Sequence, residues 1–320
     1  MLGCHAHGRR GHVRGTLFHA PVVSLMPASP LENLQIFYGD ANAAETRLYV
    51  RLNGARRDEG LRLSGTVIGP ECAYSHTLSA TIRLIDRGAT PALLAEAIVP
   101  DPCFWSPELP FLYRVSVGLG TLASNPPLVD RWMGIKPLGA RDRRLVYAGA
   151  TRVLRGGRPA EGESCNLSAW HAAEAAIDLE NPGDRLLEEA SRIGVWVVAR
   201  VAQADAAVQL KRIARWPAVM LCVLPPEAEL DAESAYDAAG VILAQEFTPD
   251  QPLELASWCR AVICRSDNAE RIADWSKHVE VPVIACLRQP GGDEPGQIRA
   301  ACDSLQRRLA GRGEFAGYLA

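Results

Sequence analysis

Phe104-Trp105-Ser106-Pro107-Glu108-Leu109-Pro110-Phe111-Leu112-Tyr113 is the most legible motif of the chain and lies in its β-patterned half. Pro107 and Pro110 fix an extended turn, since each locks φ and withholds an N–H. Trp105 and Tyr113 flank the turn with large rings that can anchor it on an apolar surface. Upstream, from about Leu34, the pattern is β: RLYVRL, LRLSGTVIG and TLSATIRLID carry apolar residues at every second position. LLAEAIV and FLYRVSVGL continue it, with Gly, Pro and Asp clusters every ten or so residues. Short strands with regular turn signals imply an antiparallel β-sandwich over residues 28–139.

Downstream the character changes at Arg141. Short apolar runs now alternate with amphipathic helical segments, as in βα units on a parallel sheet. Eight strands are expected: Arg152–Leu154, Ala176–Leu179, Val195–Val201, Val219–Leu224, Val241–Gln245, Ala261–Arg265, Val281–Leu287 and Phe315–Leu319. Asn181-Pro182-Gly183-Asp184 should start a helix, with Asn181 capping it and Pro182 in its first turn, that ends at Gly194. Thr248-Pro249-Asp250-Gln251 and Asp267-Asn268-Ala269-Glu270 read as capping boxes. Ile298, Cys302, Leu305 and Leu309 have the spacing of one buried helix face. Eight strands with helices between them match a closed (β/α)8 barrel over residues 140–320, compact at about 180 residues where about 250 is usual.

The bulk properties exclude several classes. Hydrophobic residues are 48% and charged residues 22%, with net charge −3, so no nucleic-acid or anionic-membrane surface is expected. No apolar run reaches the roughly 18 residues of a membrane span. Nine cysteines occur without a C-x-x-C pair, so neither a metal site nor a cofactor is expected, and buried thiols in a reducing cytoplasm are. Cys72 and Cys103 could pair if the chain were exported. Residues 1–27 carry His5, His7, His12 and His19 and read as a disordered tail, or as translation assigned ahead of a start at Met26. His5-Ala6-His7 in that tail is a weaker candidate for metal binding.

The decisive segment resembles the Trp-Ser-Pro-x-x-Pro-x-Leu-Tyr element of glycoside hydrolase family 2, the β-galactosidase and β-glucuronidase group. Four further segments follow in the family's order. Arg131-Trp132-Met133-Gly134-Ile135-Lys136 is similar to its Gly-Phe-Arg strand, and Leu145 to Gly156 to its entry into the barrel. Ile193-Gly194-Val195-Trp196-Val197 resembles the start of barrel strand three, and Ala214-Arg215-Trp216-Pro217-Ala218-Val219 the approach to strand four. The resemblance covers residues 45 to 320 and implies an immunoglobulin-like sandwich followed by a (β/α)8 barrel. The family's N-terminal sugar-binding jelly roll has no counterpart.

What the resemblance implies for chemistry is less favourable. Retaining glycosidases need an acid/base and a nucleophile, two carboxyl groups about 5–5.5 Å apart. Glu227 falls on the family's acid/base position, but Pro226 replaces the Asn that holds the sugar 2-hydroxyl. Leu287 stands at or beside the nucleophile, and no carboxylate occurs between Glu280 and Asp293. Cys286 is a possible substitute nucleophile, but a thiol in this apolar run should be packed. Ile177 or Asp178 replaces the strand-two Arg. Glu180, Arg200, Glu227, Glu246, Arg265, Asp267 and Arg288 all fall at strand C-terminal ends. They form either a remodelled pocket, with Glu227 and Glu246 as a new carboxylate pair, or a ring of compensating charges. Trp196 reads as core, while Trp170, at a helix start, could stack on a sugar.

Three readings follow. One is a non-catalytic relative with a carbohydrate-binding or scaffold role, whose partner is a carbohydrate, another protein or a second copy. The second is an active O-glycosyl hydrolase using Glu227 and an unplaced second carboxylate. The third is a different barrel activity, since fold does not fix function.

Overall fold

The computed structural model describes residues 34–53, 60–89, 92–121, 128–160, 165–202, 206–231, 234, 238, 240–287 and 294–320. His5, His7, Met26 and Arg288 lie outside the described residues. Eight antiparallel strands come first. β1 (Leu34–Ala41), β2 (Glu45–Leu52), β6 (Leu93–Pro100) and β5 (Ile85–Ala89) form one sheet in the order β1-β2-β6-β5. β4 (Ala80–Arg83), β3 (Arg62–Glu71), β7 (Leu112–Gly120) and β8 (Val129–Met133) form the other in the order β4-β3-β7-β8.

Period-two patterning explains how the sheets pack. In β2 the side chains of Thr46, Leu48, Val50 and Leu52 are buried and those between are more exposed. Leu48, Val50 and Leu52 meet Val67, Val115 and Val117 of the second sheet in one apolar cluster. This is the immunoglobulin-like sandwich expected from the sequence. A three-stranded antiparallel sheet follows, in the order β11 (Ala150–Arg152), β10 (Arg144–Tyr147), β9 (Leu138–Arg141).

The remainder is a closed parallel barrel: β12 (Leu154–Gly157), β13 (Ala176–Glu180), β14 (Val197–Arg200), β15 (Val219–Val223), β16 (Ile242–Phe247), β17 (Ala261–Ser266), β18 (Val283–Leu287) and β19 (Gly317–Leu319). β12 pairs with β19 and closes it. All five residues of β15 are buried, because a barrel strand is covered on both faces and gains from an unbroken apolar run. Around it lie α1 (Leu167–Ala172), α2 (Asp184–Ile193), α3 (Ala206–Ala214), α4 (Ala269–Ser276) and α5 (Pro295–Leu309).

Several local expectations need correction. The first barrel strand starts at Leu154, because Arg152 is already paired with Leu145 in the small sheet. Asn181 does not cap α2. It sits at φ 45° and its side chain accepts from the Ala202 N–H, while Gly183 holds the cap position. Thr248–Gln251 makes a turn closed by the Gln251 side chain, and the connection from β16 to β17 contains no helix. Asn268, not Asp267, caps α4, accepting from the Glu270 N–H at 2.8 Å. On α5 the expected face of Ile298, Cys302, Leu305 and Leu309 is buried.

The sandwich and barrel meet at Trp105. Its side chain is fully buried, and its indole N–H donates to the Ser191 carbonyl of α2 at 2.8 Å. The ring packs edge-on against Trp196 at 4.8 Å. Two glycines allow this approach. A Cβ on Gly194 would stand 2.2 Å from the Pro107 carbonyl oxygen, and one on Gly134 would stand 2.8 Å from Trp105 Cβ. Gly194 also ends α2 in the left-handed region, at φ 86°.

Lys136 is buried at the same seam. Its ammonium donates to the Val219 carbonyl at the start of β15 and lies 5.5 Å over the Trp196 ring. Burial pulls its pKa down to about 7.

Two predictions follow from the seam. Trp105→Phe keeps the ring but removes the N–H, and should cost about 1–3 kcal/mol by leaving the Ser191 carbonyl unpaired. Trp105→Ala should cost about 3–5 kcal/mol, both measured by urea unfolding. For Lys136, the unfolded chain titrates near about 10.4, above the folded value of about 7. Between the two, the unfolded state holds a proton that the folded state lacks, so stability rises with pH across that window. Lys136→Met should be more stable at pH 7 and should lose that rise. An unchanged slope in the variant would show that another group produces it.

Candidate functional site

In a (β/α)8 barrel the strand C-terminal ends form the face where ligands bind. Here a shallow opening of about 360 Å³ lies at that face, lined among others by Arg158, Arg200, Pro226, Glu246 and Arg265. β14 ends on Arg200, and Glu246 and Arg265 are the next-to-last residues of β16 and β17, so the signs alternate along this part of the rim.

These charges join into one ladder. Arg158 reaches Glu180 at 3.0 Å and Asp178 at 3.5 Å. Arg200 Nε donates to Asp178 at 2.7 Å, and its Nη1 donates across β15 to Glu246 at 2.5 Å. Arg265 then meets both oxygens of Glu246, at 2.7 and 3.1 Å. Three guanidiniums thus face three carboxylates. Asp178 is 3% exposed and Arg200 12%, so this part is screened little by water. Nη2 of Arg200 is buried without a hydrogen-bond partner.

The ladder sets the ionisation of Glu246. Burial alone would push its carboxyl up, but Arg200 and Arg265 outweigh burial and hold it below the usual carboxylate range. Burial works against the Arg200 charge too, and Asp178 and Glu246 more than restore it. Glu246 is therefore an anion at neutral pH and has no proton to donate to a leaving group.

Glu227 lies elsewhere. It is exposed in the turn after Pro225 and Pro226, and those two prolines line the opening while Glu227 does not. Glu227 and Glu246 are therefore not joined in one lining. Leu287, at the end of β18, is half-buried. Cys286 beside it is buried, and burial pushes its thiol up to about 11, which leaves little thiolate at neutral pH. Trp170 is 2% exposed and belongs to the barrel core, so it offers no stacking face. Trp196 precedes β14 and packs on Trp105 and Tyr147.

Sequence reasoning marked Glu180, Arg200, Glu246 and Arg265 and read Asp178 only as a missing arginine. It passed over Arg158. The available signal was the position of Arg158 immediately after β12. Among the described residues no group of three or more His, Cys, Asp or Glu could hold a metal ion. No helix among them is long and apolar enough to cross a membrane.

No family model matches the sequence, and no curated protein matches it. Solved structures do share the fold. A β-glucuronidase from Bacteroides uniformis matches with TM-score 0.58 at 15% identity, over 90% of this chain and 45% of its own. A glycosyl hydrolase family 2 member from Bacteroides cellulosilyticus DSM 14838 matches with TM-score 0.60 at 14% identity, over 90% and 44%. A β-glucuronidase from Ruminococcus gnavus gives TM-score 0.61 at 10% identity, over 90% and 60%. The chain therefore has the sandwich-and-barrel fold of glycoside hydrolase family 2 structures and spans less than two thirds of their length.

Glu246→Gln should leave Arg200 and Arg265 without their shared counter-ion and cost about 1–3 kcal/mol in chemical unfolding at pH 7. The Glu246 contribution is present above the unfolded carboxylate value of about 4.3 and is lost as pH falls through the lower folded value. The destabilisation by Glu246→Gln should therefore shrink below about pH 4. A cost that is constant from pH 7 to pH 3 would contradict the ladder.

Proposed function

We infer that this chain is a non-catalytic carbohydrate-binding relative of the family 2 glycosidases, with its fold retained and its hydrolytic pair lost. The observation that carries the reading is the engagement of Asp178, Glu180 and Glu246 with arginine at the barrel mouth. Hydrolysis needs one carboxyl that carries a proton and a second that is free to attack. Glu246 meets neither requirement. Leu287, at the strand end where the resemblance expects a nucleophile, has no nucleophilic atom.

A shallow opening lined by guanidiniums and carboxylates suits a hydroxylated ligand, because sugars offer donors and acceptors on every face. The working division is a sandwich over 28–139 and a barrel over 140–320. Free thiols at all eight described cysteines fit a reducing compartment such as the cytoplasm. A hydrolase using Glu227 is the competing reading, favoured by its place directly after two prolines of the opening.

A glycoside array scored for both binding and turnover tests the choice. Saturable binding of at least one glycan without release of product is expected, with binding weakened by Arg265→Gln. Turnover that Glu227→Gln abolishes would overturn the reading in favour of a hydrolase. Neither binding nor turnover would leave the mouth without a sugar and point to a protein partner or a second copy as the ligand.

A further inference from the structure

A second opening lies at the opposite end of the barrel. It has a volume of about 450 Å³, within the usual range for small-molecule sites, and takes no part in the mouth described above. It sits where the Pro107–Glu108 turn of the sandwich meets the N-terminal ends of the barrel strands. Its inner wall is apolar: Leu154 of β12, Ala176 of β13, Trp196 and Met220.

Met220 reaches this wall through a local irregularity. Val197 pairs with Val219 and Val198 with Leu221, so β15 carries one residue more than β14 between these pairs, and that residue is Met220. Bulges of this kind re-aim a side chain and gather beside binding sites. Trp196 is the one half-buried tryptophan of the wall.

The rim is cationic. Arg152, Arg155 and Arg299 line the opening, against the carboxylates of Glu108 and Glu174. Arg152 meets Glu108 at 3.2 Å and Arg299 meets Glu174 at 3.3 Å. Glu108 is 60% exposed, so it holds Arg152 weakly, whereas Arg299 also donates to the Ala173 and Glu174 carbonyls and faces Asp303. An incoming carboxylate can take the place of Glu108 on the Arg152 fork at little cost, while an apolar body behind it covers the half-buried Trp196.

We propose that the opening between the Pro107–Glu108 turn and the N-terminal end of the barrel binds a small aryl carboxylate, with the ring against the half-buried Trp196 and the anion on Arg152. This is a site separate from the mouth and independent of the carbohydrate reading.

Isothermal titration of the full chain with 2-naphthoate tests it, with neutral 2-naphthamide as the second ligand. Saturable 1:1 binding of 2-naphthoate is expected. Arg152→Gln should weaken it about tenfold, as expected for loss of a hydrogen bond to a charged group. Ala172→Phe, at an exposed position on the rim, should weaken it further by filling the entrance. Arg265→Gln at the barrel mouth should leave it unchanged. Both rim positions are exposed, and matching thermal unfolding curves establish that the variants fold. The proposal is overturned if no saturable heat appears up to the solubility limit. It is also overturned if Arg152→Gln and Ala172→Phe bind like the parent, or if the amide binds as tightly as the acid.

Discussion

A tryptophan ring that is removed entirely from water brings its N–H with it, and that N–H needs an acceptor. Trp105 finds its acceptor in another unit of the fold, on the Ser191 carbonyl of α2. Much of the seam is arranged around that bond. Gly134 and Gly194 lack side chains where any Cβ would collide with Trp105 or Pro107. Tyr147 donates its hydroxyl to the Trp105 carbonyl, and Trp196 packs on the indole from the barrel side. Lys136 then ties the end of β8 to the start of β15 through the Val219 carbonyl. The sandwich is thereby held at the N-terminal side of the barrel, away from the strand ends that form the mouth.

Most of the fold was legible because burial on both faces leaves a plain mark in sequence. The run at Val219–Val223 has no polar residue, and a strand at the centre of a barrel needs none. Helix starts were less legible. Asn181 has the chemistry of a cap, but it turns the chain at positive φ, where asparagine is also favoured. The composition of Thr248–Gln251 suits a capping box equally well, and only the lack of a following helix decides against it.

The site was legible as a set of strand-end charges but not as a ladder. Which charges touch depends on strand register and on how far a side chain reaches across its neighbour. Arg200 of β14 reaches Asp178 on β13 and, across the intervening β15, Glu246 on β16. No local spacing in sequence encodes that reach. Likewise, the one-residue excess that aims Met220 inward exists only in the pairing of β14 with β15. The glycosidase resemblance and the charge ladder lead to different expectations about chemistry, and the ladder rests on side-chain geometry rather than on motif order.

The Trp105 bond also has a consequence in time. Its two partners are 86 residues apart in the chain, as far as Lys136 is from Val219, a separation of 83. At roughly 5–20 residues per second, a ribosome needs about 4–17 s to make that interval. In the later part of it, once β7, β8 and Lys136 have been made, the sandwich presents an indole N–H and an ammonium whose barrel acceptors have yet to be synthesised. The face that later joins the two units is, during synthesis, a sticky surface that chaperones would shield.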